Sequence, residues 1–357
     1  MSNKILAINP GSTSTKVALF DDHQLVGQVT IRHDNQELSA FPNLVSQLPL
    51  RTTAVLQLLQ EKNVDLKNIT AFVGRGGLLH PLPVGGTYRI NEKMLHDLRT
   101  NRFGVHASNL GALIAFELAR YHQQPCFIVN PVVVDELCPE ARVTGIPFIQ
   151  RVSRYHALNQ KAIARRFAQQ INKSYQEVVL VVAHLGGGIS VGLHRHGKVV
   201  DVNNALGGDG PFSPERAGTV PTFDLMNLCF SGQYTEDEVK QLLVGKGGLV
   251  GHCGTSDARQ LVERVEAGDH AVEHVLTSMC YQIAKEIGSL YAVAQAPVDG
   301  VLLTGGLAYN HWIVQKIQSF LPSHFHVVVF PGEDELLALA EGALAVLNHQ
   351  EECHEYR

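Results

Sequence analysis

One strand pattern occurs twice in this chain, and it restricts the possible folds more than any other feature. Residues 4–9 form an apolar run, the cluster Pro10-Gly11-Ser12-Thr13-Ser14 turns the chain, and residues 15–20 run back. Asp21, Asp22 and His23 turn it again before a third apolar run at 25–31. The same order returns at 178–184, the turn Leu185-Gly186-Gly187-Gly188, 189–194 and 198–202. Each meander is followed by alternating helical and strand segments. Helices are expected at 44–60, 92–99, 108–121, 157–170, 270–294 and 336–347, and further strands at 69–73, 126–129, 301–303 and 327–330. The repeat predicts an α/β protein of two related domains, a single α/β domain being the alternative. A chain of 357 residues is long enough for two cores. No Pro- or Ser-rich linker separates them. The boundary is placed near Arg151, with a first domain at 1–152, a second at 153–336, and a last helix (337–357) able to pack back on the first.

Composition narrows the function. Hydrophobic residues make up 45% and charged residues 18%, which suits packed cores rather than disorder. The net charge of -5 offers neither a basic surface for nucleic acid nor a polybasic membrane patch. None of the cysteines (Cys126, Cys138, Cys229, Cys253, Cys280, Cys353) forms a C-x-x-C pair or stands at zinc-finger spacing from a histidine, so they read as reduced thiols. The first apolar run breaks at Pro10, unlike a signal peptide, and no stretch reaches the roughly 18 apolar residues of a membrane span. The expectation is a cytoplasmic protein with no nucleic-acid or membrane partner.

Three glycine-rich turns, 9–13, 184–188 and 304–310, each follow an apolar run. Glycine lets backbone N–H groups approach an anion closely, as phosphate oxygens require. One such turn is commonplace; three at strand ends, two of them opening hairpins, point to phosphate binding. The chain has no G-x-x-x-x-G-K-[ST] and no G-x-G-x-x-G opening a helix, which disfavours a P-loop or a dinucleotide-binding domain.

These segments resemble those of a known family. Asn9-Pro10-Gly11-Ser12-Thr13-Ser14-Thr15-Lys16, His184-Leu185-Gly186-Gly187-Gly188 and Thr304-Gly305-Gly306-Leu307-Ala308-Tyr309-Asn310 look like the phosphate and adenosine motifs of the acetate and butyrate kinases, the acetokinase family. That family belongs to the sugar kinase, Hsp70 and actin superfold. Gly74-Arg75-Gly76-Gly77-Leu78-Leu79-His80-Pro81 and Tyr155-His156-Ala157-Leu158-Asn159-Gln160-Lys161-Ala162 extend the resemblance through nearly the whole chain. It implies two duplicated ribonuclease H-like domains with mixed five-stranded sheets and an interdomain cleft. It also implies ATP and Mg2+ as cofactors, a small carboxylate as substrate, and a homodimer or higher homo-oligomer. The implied reaction is butyrate + ATP = butyryl phosphate + ADP, with branched-chain acids, propionate or acetate as alternatives.

Carried over residue by residue, the resemblance gives each site position a role. Arg75, Asp135, His156 and Arg216 become catalytic, and Arg75, Gly76, Gly77 and Tyr155 line the acid. Asn9, Gly11, Ser12, Thr13, Lys16, His184, Leu185, Gly186, Gly187, Gly188, Asp257, Ala258, Arg259, Gly305, Gly306, Leu307 and Asn310 fall on the ATP side. Asn9 with Glu333 and Glu335 stands near the metal, Asp334 being the plain alignment partner of the family's acid. Relatives built for acetate carry a bulky aliphatic residue where this chain has Gly77, so the glycine is expected to leave room for a longer acyl tail; a backbone requirement is the other reading.

Physical chemistry favours the same residue types. A phosphoryl group in flight spreads charge over three oxygens, so catalysis is mostly positioning and charge stabilisation. Arginine supplies forked donors for carboxylate and phosphoryl groups. The attacking carboxylate is already ionised at neutral pH, so no general base is needed. Each residue also has a plain structural reading. Arg75 and Arg216 suit ordinary ion pairs, His156 a polar helix start, Asp135 a helix N-cap, and the acids at 333–335 the dipole of the last helix. A sugar kinase of the same superfold and a non-catalytic nucleotide-binding regulator are the rival functions.

Overall fold

The computed structural model describes residues 2–357. Its strands are β1 (Lys4–Pro10), β2 (Ser14–Asp21), β3 (Gln24–Arg32), β4 (Ala71–Arg75), β5 (Thr87–Arg89), β6 (Cys126–Val129), β7 (Val179–Leu185), β8 (Ile189–Arg195), β9 (Lys198–Val202), β10 (Gly300–Gly305), β11 (Val327–Pro331) and β12 (Cys353–Glu355). The chain divides into two compact units: residues 1–134 with 334–357, and residues 135–333.

The second unit shows why such a chain makes a sheet covered on both faces. Every residue of β7 is buried. Val179, Val181, Ala183 and Leu185 pack with Met279, Ile283 and Ile287 of the helix His270–Ala292. The alternate residues Leu180 and Val182 pack with Ile163, Ala164 and Phe167 of the helix Ala157–Gln170. Side chains alternate across a strand, so a strand between two helical layers must be apolar throughout. Each fully buried Val or Leu contributes about 1.5–3 kcal/mol.

The expected repeat is present as a shared five-strand core. In the second sheet the order is β11-β10-β7-β8-β9. In the first, β6-β4-β1-β2-β3 has the same order and the same pairing: antiparallel between the first three strands of each unit, parallel beyond them. The first sheet is not five-stranded as expected but seven-stranded, because β5 and β12 extend its β6 edge. Both added strands span three residues, too short to show a sequence period.

The division between the units falls between Val134 and Asp135 rather than near Arg151. Residues 136–151 are tied into the second unit. The Cys138 N–H donates to the Val200 carbonyl, Arg151 Nη1 meets Asp201 Oδ1 at 3.0 Å, and Glu136 forms a buried ion pair with Lys161 at 2.7 Å. The helix Glu335–Leu347 packs on β1, β4 and β6 of the first unit. Its Gly342 permits that approach, since a Cβ there would meet Val129 Cγ1 at 2.5 Å. All six cysteines are free thiols, and no described helix is long and apolar enough to cross a membrane.

Candidate active site

In the first unit the ends of two adjacent parallel strands create a polar cluster. The register pairs Ile8 with Gly74, so Asn9 and Arg75 follow side by side at the carboxyl ends of β1 and β4. This is where open α/β sheets place ligands. Arg75 Nη1 donates to Glu335 Oε2 at 2.9 Å and approaches Asn9 Oδ1 at 3.4 Å; Asn9 Nδ2 donates to the same Glu335 oxygen. Glu335 is buried in the first turn of the last helix, while the Arg75 side chain remains 30% exposed. Of the acids expected near a metal, Glu335 therefore joins Asn9. Glu333 belongs to the second unit, and Asp334 is the N-cap residue of the last helix.

The turn after β1 rests on a residue that sequence reasoning missed. Arg51, fully buried, donates from Nη1 to the Gly11 and Ser14 carbonyls at 2.8 and 3.1 Å and from Nη2 to the Ser12 carbonyl at 2.7 Å. Gln47 Oε1 accepts from Nε and Nη2. The turn carbonyls are thus drawn inward, and Ser12 and Thr13 stay exposed at the tip, as does Lys16 on β2. An arginine at 51 reads in sequence as a solvated helix residue; nothing local marks it as buried.

Gly77 does not leave open space. A Cβ there would meet Asn109 Oδ1 at 2.3 Å and Asn109 Cα at 2.5 Å, and the same Asn109 oxygen accepts the Leu78 N–H at 2.8 Å. These contacts favour the backbone reading of this glycine over the acyl-slot reading. Gly76 is similarly confined, by Pro131 at 2.5 Å.

In the second unit His184 is the penultimate residue of β7 and His156 precedes the helix Ala157–Gln170. Their rings stack at 3.8 Å, with 9° between planes. His156 Nδ1 contacts Ser190 Oγ at 2.9 Å, and His184 Nδ1 contacts Asn159 Oδ1 at 2.8 Å. His184 Nε2 lies 2.9 Å from Glu333 Oε1, close enough for an ion pair but without hydrogen-bond alignment. Arg216 lies across the turn Gly186–Gly188: its Nη1 occupies the place a Gly188 Cβ would take, and it donates to the Ala205 carbonyl. Burial lowers its pKa, opposed by Glu215.

Two expected catalytic-side residues are held in other ways. Asp135 is not an N-cap, since Cys138 holds that place on the short helix after it. Arg142 instead donates from Nη1 to its Oδ2 at 2.9 Å, and Nη2 lies 2.8 Å from Oδ1, an ion-pair distance without hydrogen-bond alignment. The Tyr155 ring is fully buried, and its hydroxyl has no hydrogen-bond partner. Its pKa is pushed well up by burial and then by the charges of Glu136, Tyr175 and Asp135.

The expected adenosine residues come together. Ser256, Asp257, Ala258 and Arg259 line one surface depression with Gly306, Leu307, Tyr309 and Asn310. Asp257 and Asn310 cap the helices Ala258–Glu266 and His311–Phe320, and the Arg259 guanidinium folds back on Asp257. Gly305, at φ +91, brings β10 so close to Leu185 that a Cβ would meet its carbonyl oxygen at 2.4 Å. Leu185 itself is buried. Tyr309, 68% exposed, adds an aromatic face at the rim.

Comparison with known proteins follows the same lines. The model of the acetokinase family matches residues 148–351. A probable butyrate kinase of Clostridium botulinum (strain Alaska E43 / Type E3) is 49% identical over 356 residues, covering 100% of both chains. Butyrate kinase 2 of Clostridium acetobutylicum is 48% identical over 361 residues, again covering both chains fully. The crystal structure of Porphyromonas gingivalis acetate kinase superposes with a TM-score of 0.79 at 18% identity, covering 97% of this chain and 100% of that one, a likeness of fold. The chain belongs to the acetokinase family.

Proposed function

We propose that this chain moves the γ-phosphoryl group of ATP onto the carboxylate of a short-chain fatty acid, butyrate first, giving butyryl phosphate and ADP. The observation that carries the reading is the full-length identity of 49% to a protein described as a probable butyrate kinase. The side chains supply suitable parts. Arg75 offers a partly exposed guanidinium for a carboxylate or phosphoryl oxygen, and Arg216 a second one beside the glycine turn. His156 presents an imidazole whose ring plane is held by His184. The depression between residues 256–259 and Tyr309 suits adenosine, with the tyrosine ring available to stack on a base. Because a carboxylate attacks in its ionised form, Asp135 is free of any duty as base, and its pairing with Arg142 suits a positioning role.

The donors near Asn9 fit a magnesium ion that the nucleotide brings. They are hard oxygens, and no group of three or more His, Cys, Asp or Glu among the described residues forms a protein cage. Asn9 and Glu335 would hold such an ion, which would neutralise phosphate charge when bound. The reading also implies a cytoplasmic site of action and self-association to at least a dimer, which light scattering checks.

Hydroxylamine trapping tests the proposal. Protein and Mg-ATP are incubated with acetate, propionate, butyrate, isobutyrate and valerate, and acyl hydroxamate is read by colour. Strongest colour with butyrate supports the reading. Strongest colour with acetate would keep the carboxylate kinase and move the substrate, and no colour from protein that binds ATP would remove it.

A further inference from the structure

Four buried side chains of the second unit, Tyr175, His194, Gln160 and Ser190, are joined end to end behind His156. Tyr175 Oη lies 2.8 Å from His194 Nδ1, and His194 Nε2 lies 3.0 Å from Gln160 Oε1. Gln160 Nε2 is 2.8 Å from Ser190 Oγ, which is 2.9 Å from His156 Nδ1. Gln160, Ser190 and His194 have no solvent exposure.

Groups that can only accept fix the direction of every hydrogen. Gln160 Nε2 also lies 3.0 Å from the Ser190 carbonyl oxygen, so that end of the amide is the NH2 and the other end is the carbonyl. A carbonyl cannot donate, so His194 Nε2 carries a hydrogen. Burial, with Lys161 nearby, keeps His194 neutral, which leaves its Nδ1 bare to accept from Tyr175. Burial likewise keeps the Tyr175 phenol protonated. At the other end Ser190 Oγ accepts from Gln160, and the His156 backbone N–H approaches it at 3.5 Å. Its own hydroxyl hydrogen is left to point at His156 Nδ1.

We propose that this chain holds His156 in the tautomer with its hydrogen on Nε2, making Nε2–H a fixed donor for the transferring phosphoryl group, with Ser190 and Gln160 as positioning residues. The tautomer follows from the contacts alone; its use in transfer rests on the proposed kinase function. A donor aimed where charge develops is worth more when it needs no reorganisation. Stacking on His184 fixes the ring plane, and the Ser190 hydroxyl fixes which nitrogen bears the hydrogen.

Nitrogen-15 NMR of the full-length protein labelled at histidine tests the assignment, with His156→Asn identifying the resonances. The expected spectrum shows His156 with Nδ1 bare and Nε2 protonated at neutral pH. Ser190→Ala then removes the one hydroxyl hydrogen aimed at Nδ1. With no donor there, His156 should no longer be held in the Nε2–H form, its two nitrogens should share the hydrogen, and kcat should fall on the order of tenfold, with both KM values within about twofold. A wild-type His156 bearing its hydrogen on Nδ1 overturns the proposal without any variant. So does a Ser190→Ala protein whose tautomer and kcat do not change together. A wild-type protein that makes no acyl phosphate yet shows the Nε2–H form would sink the kinase reading and support the tautomer assignment.

Discussion

The turn between β1 and β2 and the turn between β7 and β8 hold equivalent places in the two sheets, and each has an arginine against it. Beneath the first, Arg51 is wholly buried and directs its donors at the carbonyls of Gly11, Ser12 and Ser14 and at Gln47. Across the second, Arg216 lies on Gly188 and remains partly exposed; among the described residues its one side-chain hydrogen bond runs from Nη1 to the Ala205 carbonyl. The same hairpin is thus stiffened from below in one unit and armed from above in the other. An arginine whose donors are all taken, by the backbone of the turn and by Gln47, serves the scaffold. One with donors to spare is placed to meet an anion.

Substitutions can break that comparison. The largest effect is expected from Arg216→Ala and, in the first unit, Arg75→Ala. Each should lose about 10²–10³-fold in kcat, measured by coupled ADP release, with little change in melting temperature for Arg216→Ala and a lower one for Arg75→Ala, which leaves the buried Glu335 without its cation. An Arg216→Ala enzyme with full turnover would reduce Arg216 to the rank of Arg51. Arg51→Met should do the opposite. It leaves buried carbonyls without a donor, so a loss of about 3 kcal/mol is expected in urea unfolding, with kcat nearly intact while the protein stays folded. Gly77→Ala comes next. Overlap with Asn109 should cost about 1–3 kcal/mol, while the ranking of acids in the trapping assay stays the same. A changed ranking would restore the acyl-slot reading.

Acid should separate the units by a smaller margin. His194 is held neutral by burial and Lys161, so its pKa is below the ordinary 6.5. Below that pH the unfolded chain binds the proton more readily than the folded one, and the second unit loses stability as pH falls. In the first unit burial pushes Asp97 up, but hydrogen bonds from Tyr356, Lys93 and Arg102 outweigh it and hold its carboxyl below 3.8. The stability it contributes is present above that value and is lost only as pH falls further. His33, held against Thr15 of β2, is shifted down in the same direction by burial and Arg51 but less far, so hydrogen exchange between pH 6.5 and 4 should loosen β7 and β8 before β1 and β2, and the reverse order would contradict both assignments.

What could be read from sequence was whatever has a period or a local signal. The β-branched run of β7, the helix at 157–170 and the glycine turns were legible because burial on both faces and tight turns demand those residue types. β5 and β12 were not, since three residues carry no period. Candidate site residues at strand ends, such as Asn9, Arg75 and His184, were within reach through their motifs. Arg51, Asn109, Gln160 and Ser190 were not, because their partners lie far away in sequence. At Gly77 a missing side chain reads in sequence as space, and Asn109 fills the place where one would stand.

Phosphorus-31 NMR of the protein with Mg-ATP and butyrate, without any trapping reagent, follows the transferred group itself. Transfer to the carboxylate gives an acyl phosphate resonance growing in step with ADP and no free phosphate at early times. ADP with free phosphate in its place, or no change in ATP from protein that binds it, would contradict transfer to the carboxylate.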